Sequence, residues 1–322
     1  MLHTPICDLF GIEHPILLAG MGGVSMAPLV AAVSNAGGLG VMGAANLSPD
    51  DLRAEIRKTR ALTRKPFAVD LLAPLPQMIV PYLPVLYEEE VEIFVAGLAI
   101  PEKHVAEMKA HGITIMVMTG KVKHAVRVEQ AGADVVAAQG TEAGGHTGEI
   151  GTLALVPQVV DAVKIPVVAA GGIVDGRGLV AALALGAQGV VVGTRFITTP
   201  EATAARQYRD ALVRAAQDDT IRTRTYSGKP LRALRNPYIA EHEADPKKMR
   251  PFPEQLMVST QRNVMAYWNP EADPQATCFP AGQGVGAFHD VKPSADVLRE
   301  IVSQAAALLA RGIVPAAAAA SE

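Results

Sequence analysis

From residue 15 to about residue 215 the chain alternates short runs rich in Val, Ile, Leu and Ala with amphipathic stretches of helical length. The apolar runs are Ile16–Ala19, Leu39–Met42, Phe67–Leu72, Ile93–Leu98, Thr114–Met118, Asp134–Ala138, Val167–Ala170 and Gly189–Gly193. Strands that alternate with helices imply an α/β protein built on a parallel sheet. Eight such units in about 200 residues favour a closed (β/α)₈ barrel over an open doubly wound sheet, which usually carries five to seven strands.

Several helices announce their ends. Ser48-Pro49-Asp50-Asp51 reads as a capping serine, a proline at the first helical position and two acids in the first turn, and Pro101-Glu102 repeats that logic. Gly37, Gly112, Gly132 and Gly186 read as helix stops, each handing the chain back to a strand after a very short link. Pro74, Pro76, Pro81 and Pro84 crowd the third connection, so its helix is expected to be short and irregular.

After about residue 216 the repeat breaks down. The stretch from Arg222 to Asn236 reads as basic and irregular, and prolines from Pro237 to Pro280 punctuate the chain beyond it. The expected organisation is therefore a barrel over residues 1–215, an added segment over 216–290 covering the active site, and a closing portion over 291–322. In that last portion a helix opening near Ser294 is expected to pack Val297, Leu298, Ile301, Val302 and Leu308 back on the barrel, with a frayed tail from Pro315 to Glu322.

Composition excludes several partners. With 29 basic and 32 acidic side chains the formal charge is -3, which offers no global attraction for nucleic acid or an anionic membrane and makes a small molecule the default partner. The most apolar stretch, Leu179 to Gly193, is too short to cross a bilayer as a helix. The first residues lack the pattern of a secretory signal, and the two cysteines, Cys7 and Cys278, fit neither a disulfide framework nor a zinc site. A cytoplasmic location is the resulting expectation; self-association into a homo-oligomer is left open.

In such barrels the active site lies at the carboxyl ends of the strands. Here those ends read Gly20-Met21-Gly22-Gly23, Gly43, Gly97, Gln139-Gly140, Gly171-Gly172 and Gly193-Thr194-Arg195. Glycines let backbone N–H groups approach a ligand closely. The pair Gly171-Gly172 and Gly193-Thr194, one βα unit apart at the last two strands, matches the usual phosphate site of these barrels; alone, either is an ordinary tight turn.

His146 stands between glycines in the long loop after the sixth strand, and a neutral imidazole there has the chemistry to take a proton from carbon or polarise a carbonyl. The plainer reading is a loop histidine bonded to backbone. Glu142 either orients that ring or faces solvent. No second ligand stands at metal spacing. The other seven histidines fit surface, helix-end or strand-entry positions better, with His289 a weak candidate for approach from the C-terminal segment. The basic residues Arg222, Arg224, Lys229, Arg232 and Arg235 have the chemistry to meet a carboxylate or a nucleotide phosphate but fit a solvated face as well.

A set of ordered motifs, Gly11-Ile12-Glu13-His14-Pro15-Ile16, Gly20-Met21-Gly22, Ser34-Asn35-Ala36-Gly37-Gly38-Leu39-Gly40, Lys65-Pro66-Phe67, Glu142-Ala143-Gly144-Gly145-His146, Ala169-Ala170-Gly171-Gly172-Ile173 and Gly193-Thr194-Arg195-Phe196, resembles the nitronate monooxygenase family, formerly called 2-nitropropane dioxygenases. The resemblance continues into Leu234-Arg235-Asn236 and Ala281-Gly282-Gln283-Gly284. FMN-dependent enoyl-ACP reductases share nearly all of these motifs. The resemblance implies an FMN-binding TIM barrel with a smaller C-terminal segment over the flavin. Gly20, Met21 and Gly22 would border the ring; Gln139, Gly144 and Gly145 would line the cofactor, with Asp70 against it. Gly171, Gly172, Gly193 and Thr194 would hold the phosphate, Gln283 would reach in from the C-terminal segment, and His146 would be the catalytic histidine.

The sequence departs from the family at Asp70, where relatives usually carry Asn, and at Thr147, where many nitronate oxidisers carry Arg. The leading expectation is oxidation of an alkyl nitronate by dioxygen to a carbonyl compound and nitrite. The alternative is NAD(P)H-dependent reduction of an enoyl thioester or quinone, and a flavin-free isomerase or lyase on the same fold is the reading of a different class.

Overall fold

Every expected run is a strand in the computed structural model, which describes residues 2–312; the tail expected from Pro315 lies outside the described residues. The barrel strands are β1 (Ile16–Leu18), β2 (Gly40–Gly43), β3 (Phe67–Leu72), β4 (Ile93–Gly97), β5 (Thr114–Thr119), β6 (Val135–Gln139), β8 (Val167–Ala170) and β9 (Gly189–Val192), while the two-residue strand β7 (Gly145–His146) lies outside this wall. The eight pair in parallel in the order β1-β9-β8-β6-β5-β4-β3-β2, and an isolated parallel bridge between Leu17 and Leu39 joins the two ends. The wall is thus a closed TIM-type barrel of eight strands with helices outside it. β1, β2, β4, β8 and β9 are buried at every position, which is why they read as unbroken apolar runs rather than alternating ones.

The helix signals act as chemistry dictates. Ser48 accepts a hydrogen bond from the Asp51 N–H at the head of Pro49–Leu62, whereas Pro101 sits one place earlier than expected, at the cap before Glu102–Ala110. The proline-rich connection forms two 3₁₀ turns, Pro76–Met78 and Val80–Tyr82, before the short helix Leu83–Glu88. The last helix, Ser294–Arg311, buries Val297, Leu298 and Ile301 against the helices Gly176–Ala184 and Ala27–Asn35. Each such side chain contributes about 1.5–3 kcal/mol. At that crossing the Gly176 Cα leaves no room for a side chain, because a Cβ there would lie 2.4 Å from the Ala305 nitrogen.

One expectation is corrected. The stretch from Arg222 to Asn236 is not irregular: β10 (Thr220–Thr223) and β11 (Leu231–Leu234) form an antiparallel hairpin, and β11 pairs in turn with β7. The arginines masked the alternation because Arg232, which a solvated strand would turn outward, is buried, donating to the Thr141 carbonyl and the Thr220 hydroxyl. Behind this sheet a second small core gathers Tyr226, Leu231, Ala233, Ile239, Val264 and Cys278.

Candidate active site

The carboxyl ends of the barrel strands open into a cavity of about 720 Å³, roofed by Leu256, Thr260, Met265, Tyr267, Trp268 and Cys278 from the C-terminal segment. That volume lies within the range of small-molecule and cofactor sites. Gly20, Met21, Gly22, Asp70, Gln139, Gly144, Gly145, His146, Gly171, Gly172, Gly193 and Thr194 all line it. Gln283 does not: its side chain is exposed, its N–H donates to the Glu142 carbonyl, and its neighbours Gly282 and Gly284 form the wall instead.

One end of the cavity is built from backbone. Gly171 and Gly172 take φ of +103° and +71°, values that L side chains rarely adopt, and so turn their peptide planes at the end of β8. The N–H groups of Gly172 and Gly193 have no acceptor among the described residues. Thr194, in the next turn, accepts a bond from the Gly282 N–H, which ties the C-terminal segment to this end. Amides from two adjacent strand ends thus face the cavity, whose lining holds no Lys or Arg side chain.

The other feature is His146. It lies not in a free loop but in β7, in register with Leu231, so the C-terminal segment holds the residue it covers. Its Nε2 lies 2.8 Å from the Ser227 hydroxyl, which sits 3.2 Å from the Lys229 carbonyl. Nδ1 has no protein partner; in the tautomer that directs the serine proton to that carbonyl, Nε2 carries the imidazole hydrogen, donates to Ser227 and leaves Nδ1 a lone pair. Burial, reinforced by the Lys229 charge, pushes the imidazole pKa down to about 4, so the ring is neutral at physiological pH.

The open question of Glu142 is answered by the loop. Its carboxylate turns away from His146 and accepts from both the N–H and the hydroxyl of Thr152, fastening the start of helix Thr152–Ala162. Thr147 donates its hydroxyl to the Gly140 carbonyl and clasps the loop shut. His289 is exposed and bonded to the Val213 carbonyl, away from the lining. Of the basic residues, Arg222, Arg224, Arg232 and Arg235 donate to backbone carbonyls, while the Lys229 ammonium stacks 4.4 Å from the Phe252 ring centre. Ser227 was not singled out in the sequence; Ser227-Gly228 marks a turn there, but no local signal links it to His146.

A barrel closed over a glycine-lined anion cradle, with a neutral imidazole on the wall, defines an oxidoreductase of the TIM-barrel class once the relatives are considered. The family model for nitronate monooxygenase matches residues 3–82 and 80–304, and the chain belongs to that family. It is 38% identical over 284 residues to a probable nitronate monooxygenase of Staphylococcus saprophyticus, covering 74% of this chain and 80% of that one. It is 44% identical over 235 residues to the (3aS,4S,5R,7aS)-5-hydroxy-7a-methyl-1-oxo-octahydro-1H-indene-4-carboxyl-CoA dehydrogenase of Rhodococcus jostii, a match over 72% of this chain and 66% of that relative. The solved structure of FabK from Thermotoga maritima superposes with a TM-score of 0.89 at 36% identity, covering 98% of this chain and all 100% of that one. A nitroalkane oxidase from Streptomyces ansochromogenes gives 0.84 at 31% identity, over 95% and 99% of the two chains.

Proposed function

We propose that this protein binds FMN in the barrel mouth and oxidises alkyl nitronates with dioxygen to a carbonyl compound and nitrite. The observation that carries the reading is His146: a neutral imidazole, its Nδ1 without a protein partner, on the wall of a mainly apolar cavity that glycine turns of two strand ends also line. The amides of Gly171, Gly172, Gly193 and Thr194 would hold the FMN phosphate, and Gly20, Met21 and Gly22 would border its ring. FMN, when bound, supplies the electron acceptor and the reaction with dioxygen.

The chain's own part is placement and proton handling. When the neutral nitroalkane is the substrate, Nδ1 of His146 takes the α-proton while Nε2–H stays on Ser227. The resulting imidazolium is disfavoured by the same burial that keeps the ring neutral, so proton abstraction is the costly step. A nitronate arrives already deprotonated and avoids it; nitronates are therefore the preferred substrates. Tyr267, Trp268 and Leu256 roof the site.

A second reading is favoured by one feature of the lining: it holds no Lys or Arg to meet an anion. A neutral acyl or enoyl thioester suits such a wall, in keeping with the dehydrogenase and FabK relatives, and NAD(P)H would then be the reductant. Anaerobic mixing separates the two. Bleaching of the bound flavin by a nitronate but not by NADH or NADPH is the result expected; bleaching by the nicotinamides with transfer to an enoyl thioester would replace the first reading with the second. A colourless protein that binds no flavin would remove both.

A further inference from the structure

Asp70 lies in β3, in register with Gly43 of β2 and Val95 of β4, and its side chain lines the cavity. Glycines clear the space around it. A Cβ built on Gly20 would lie 2.1 Å from its Oδ2, and one built on Gly97 would lie 3.5 Å from its Oδ1. Asp70 is half-buried, and the part left open borders this roofed cavity. No described residue donates a hydrogen bond to either carboxyl oxygen, and no Lys or Arg lines the cavity.

The titratable groups that share the lining are His146, Tyr208, Tyr267 and Cys278. None supplies a positive charge at neutral pH: burial lowers the imidazole to about 4 and raises the two phenols and the thiol above their ordinary values. An ionised carboxylate at this place is thus an uncompensated charge without a donor, a costly state that keeping the proton relieves. The same burial pushes the Asp70 carboxyl well above the usual carboxylate range.

We propose that Asp70 is held as the neutral acid and donates its O–H to an electron-rich oxygen of the molecule bound in the cavity. This lets a wall without cations grip a carbonyl, nitro or nitronate oxygen. That oxygen belongs either to the flavin ring or to the substrate. The identity of the ligand rests on the function proposed above; the protonation of Asp70 does not.

The test is infrared difference spectroscopy of the purified holoprotein against Asp70→Asn at neutral pH, with the flavin-stripped protein measured alongside. The expected result is the carbonyl stretch of a protonated carboxylic acid in wild type, absent from Asp70→Asn. A shift of that band on FMN addition assigns the partner to the flavin. A shift only on addition of a nitroalkane or an acyl-CoA assigns it to the substrate. Absence of the band, its conversion to a carboxylate signal when FMN binds, or a band that no ligand moves would each overturn the proposal. A protein that binds no flavin yet shows the band would sink the proposed function while leaving the protonation standing.

Stability supplies an independent readout. The unfolded Asp70 ionises at its ordinary value, whereas the folded one keeps its proton. Raising the pH above the unfolded value therefore shifts wild type toward unfolding by about tenfold per unit until the folded value is passed. Asp70→Asn lacks this term, so the difference in denaturant midpoint between the two proteins is expected to widen with pH; a constant difference would overturn the proposal. Asp70→Leu, apolar and without a donor, is expected to weaken ligand binding by about tenfold, while Asp70→Asn stays close to wild type. Equal loss in both variants would remove the donor role.

Discussion

The Nε2 atom of His146 sits 2.8 Å from the hydroxyl of Ser227, a residue 81 positions further along the chain. The barrel supplies the imidazole and the C-terminal hairpin supplies its hydrogen-bond partner. Removing the ring by His146→Ala is expected to lower turnover of neutral nitroalkanes by roughly 10²–10⁴. Ser227→Ala, which leaves the ring free to change tautomer, should cost on the order of tenfold on the same substrates. Turnover of pre-formed nitronates should change little in either variant. Steady-state rates on matched nitroalkane and nitronate pairs check this, and equal losses on both substrates would refute the base role.

The pH dependence follows from burial of the same ring. The folded imidazole titrates at about 4, far below its ordinary value. Turnover of nitroalkanes should therefore show no acid limb from His146 between about pH 5 and about pH 7, the window in which an ordinary imidazole would titrate. Folding carries the matching sign. The unfolded histidine takes up a proton near its ordinary value while the folded one resists, so stability is lost as the pH falls from the ordinary imidazole value toward about 4. The full term is on the order of 3 kcal/mol. Denaturant titrations of wild type and His146→Gln across that window should converge as the pH falls.

The amide cradle makes a separate prediction. Gly171→Ala places a Cβ 3.0 Å from the Gly140 carbonyl at a φ of +103°, and the turn must shift to accept it. About 1–3 kcal/mol of stability should be lost, together with tenfold or more of FMN affinity measured by fluorescence titration. Gly186→Ala, also at positive φ but outside the cavity lining, is the control. It should lose stability and keep flavin affinity. If both bind FMN like wild type, the phosphate is held elsewhere.

Glu142 fastens a helix start through Thr152, so Glu142→Ala should cost about 0.5–2 kcal/mol, read as a lowered melting temperature. Glu142→Gln should lose less, because its amide oxygen still accepts from the Thr152 N–H. Neither substitution should move the pH profile attributed to His146, since the carboxylate does not touch the ring. A displaced profile in the Gln variant would show that Glu142 acts on the imidazole after all.

Much of this architecture was legible in the chain because its signals are local. A strand buried on both faces must be apolar along its length, and a glycine stop or a capping serine acts within a few residues. The eight runs from Ile16 to Gly193 and the caps at Ser48 and Gly186 therefore read correctly, and the glycine-rich strand ends marked the mouth of the cavity. The hairpin of Thr220–Thr223 and Leu231–Leu234 did not, since its Arg232 buries its head on a carbonyl of another loop, a fact absent from any window of sequence.

The sequence by itself determined the barrel, its order of strands and the kinds of residue at its mouth, all written in short-range patterns of burial and turning. Only the tertiary structure decided which of those residues act on one another. His146 took Ser227 as its partner rather than its neighbour Glu142, Gln283 gave way to the glycines beside it, and Asp70 came to stand among glycines with no cation in reach. Such pairings join residues far apart in the chain, and the charge state of a buried group depends on everything folded around it rather than on its neighbours in sequence.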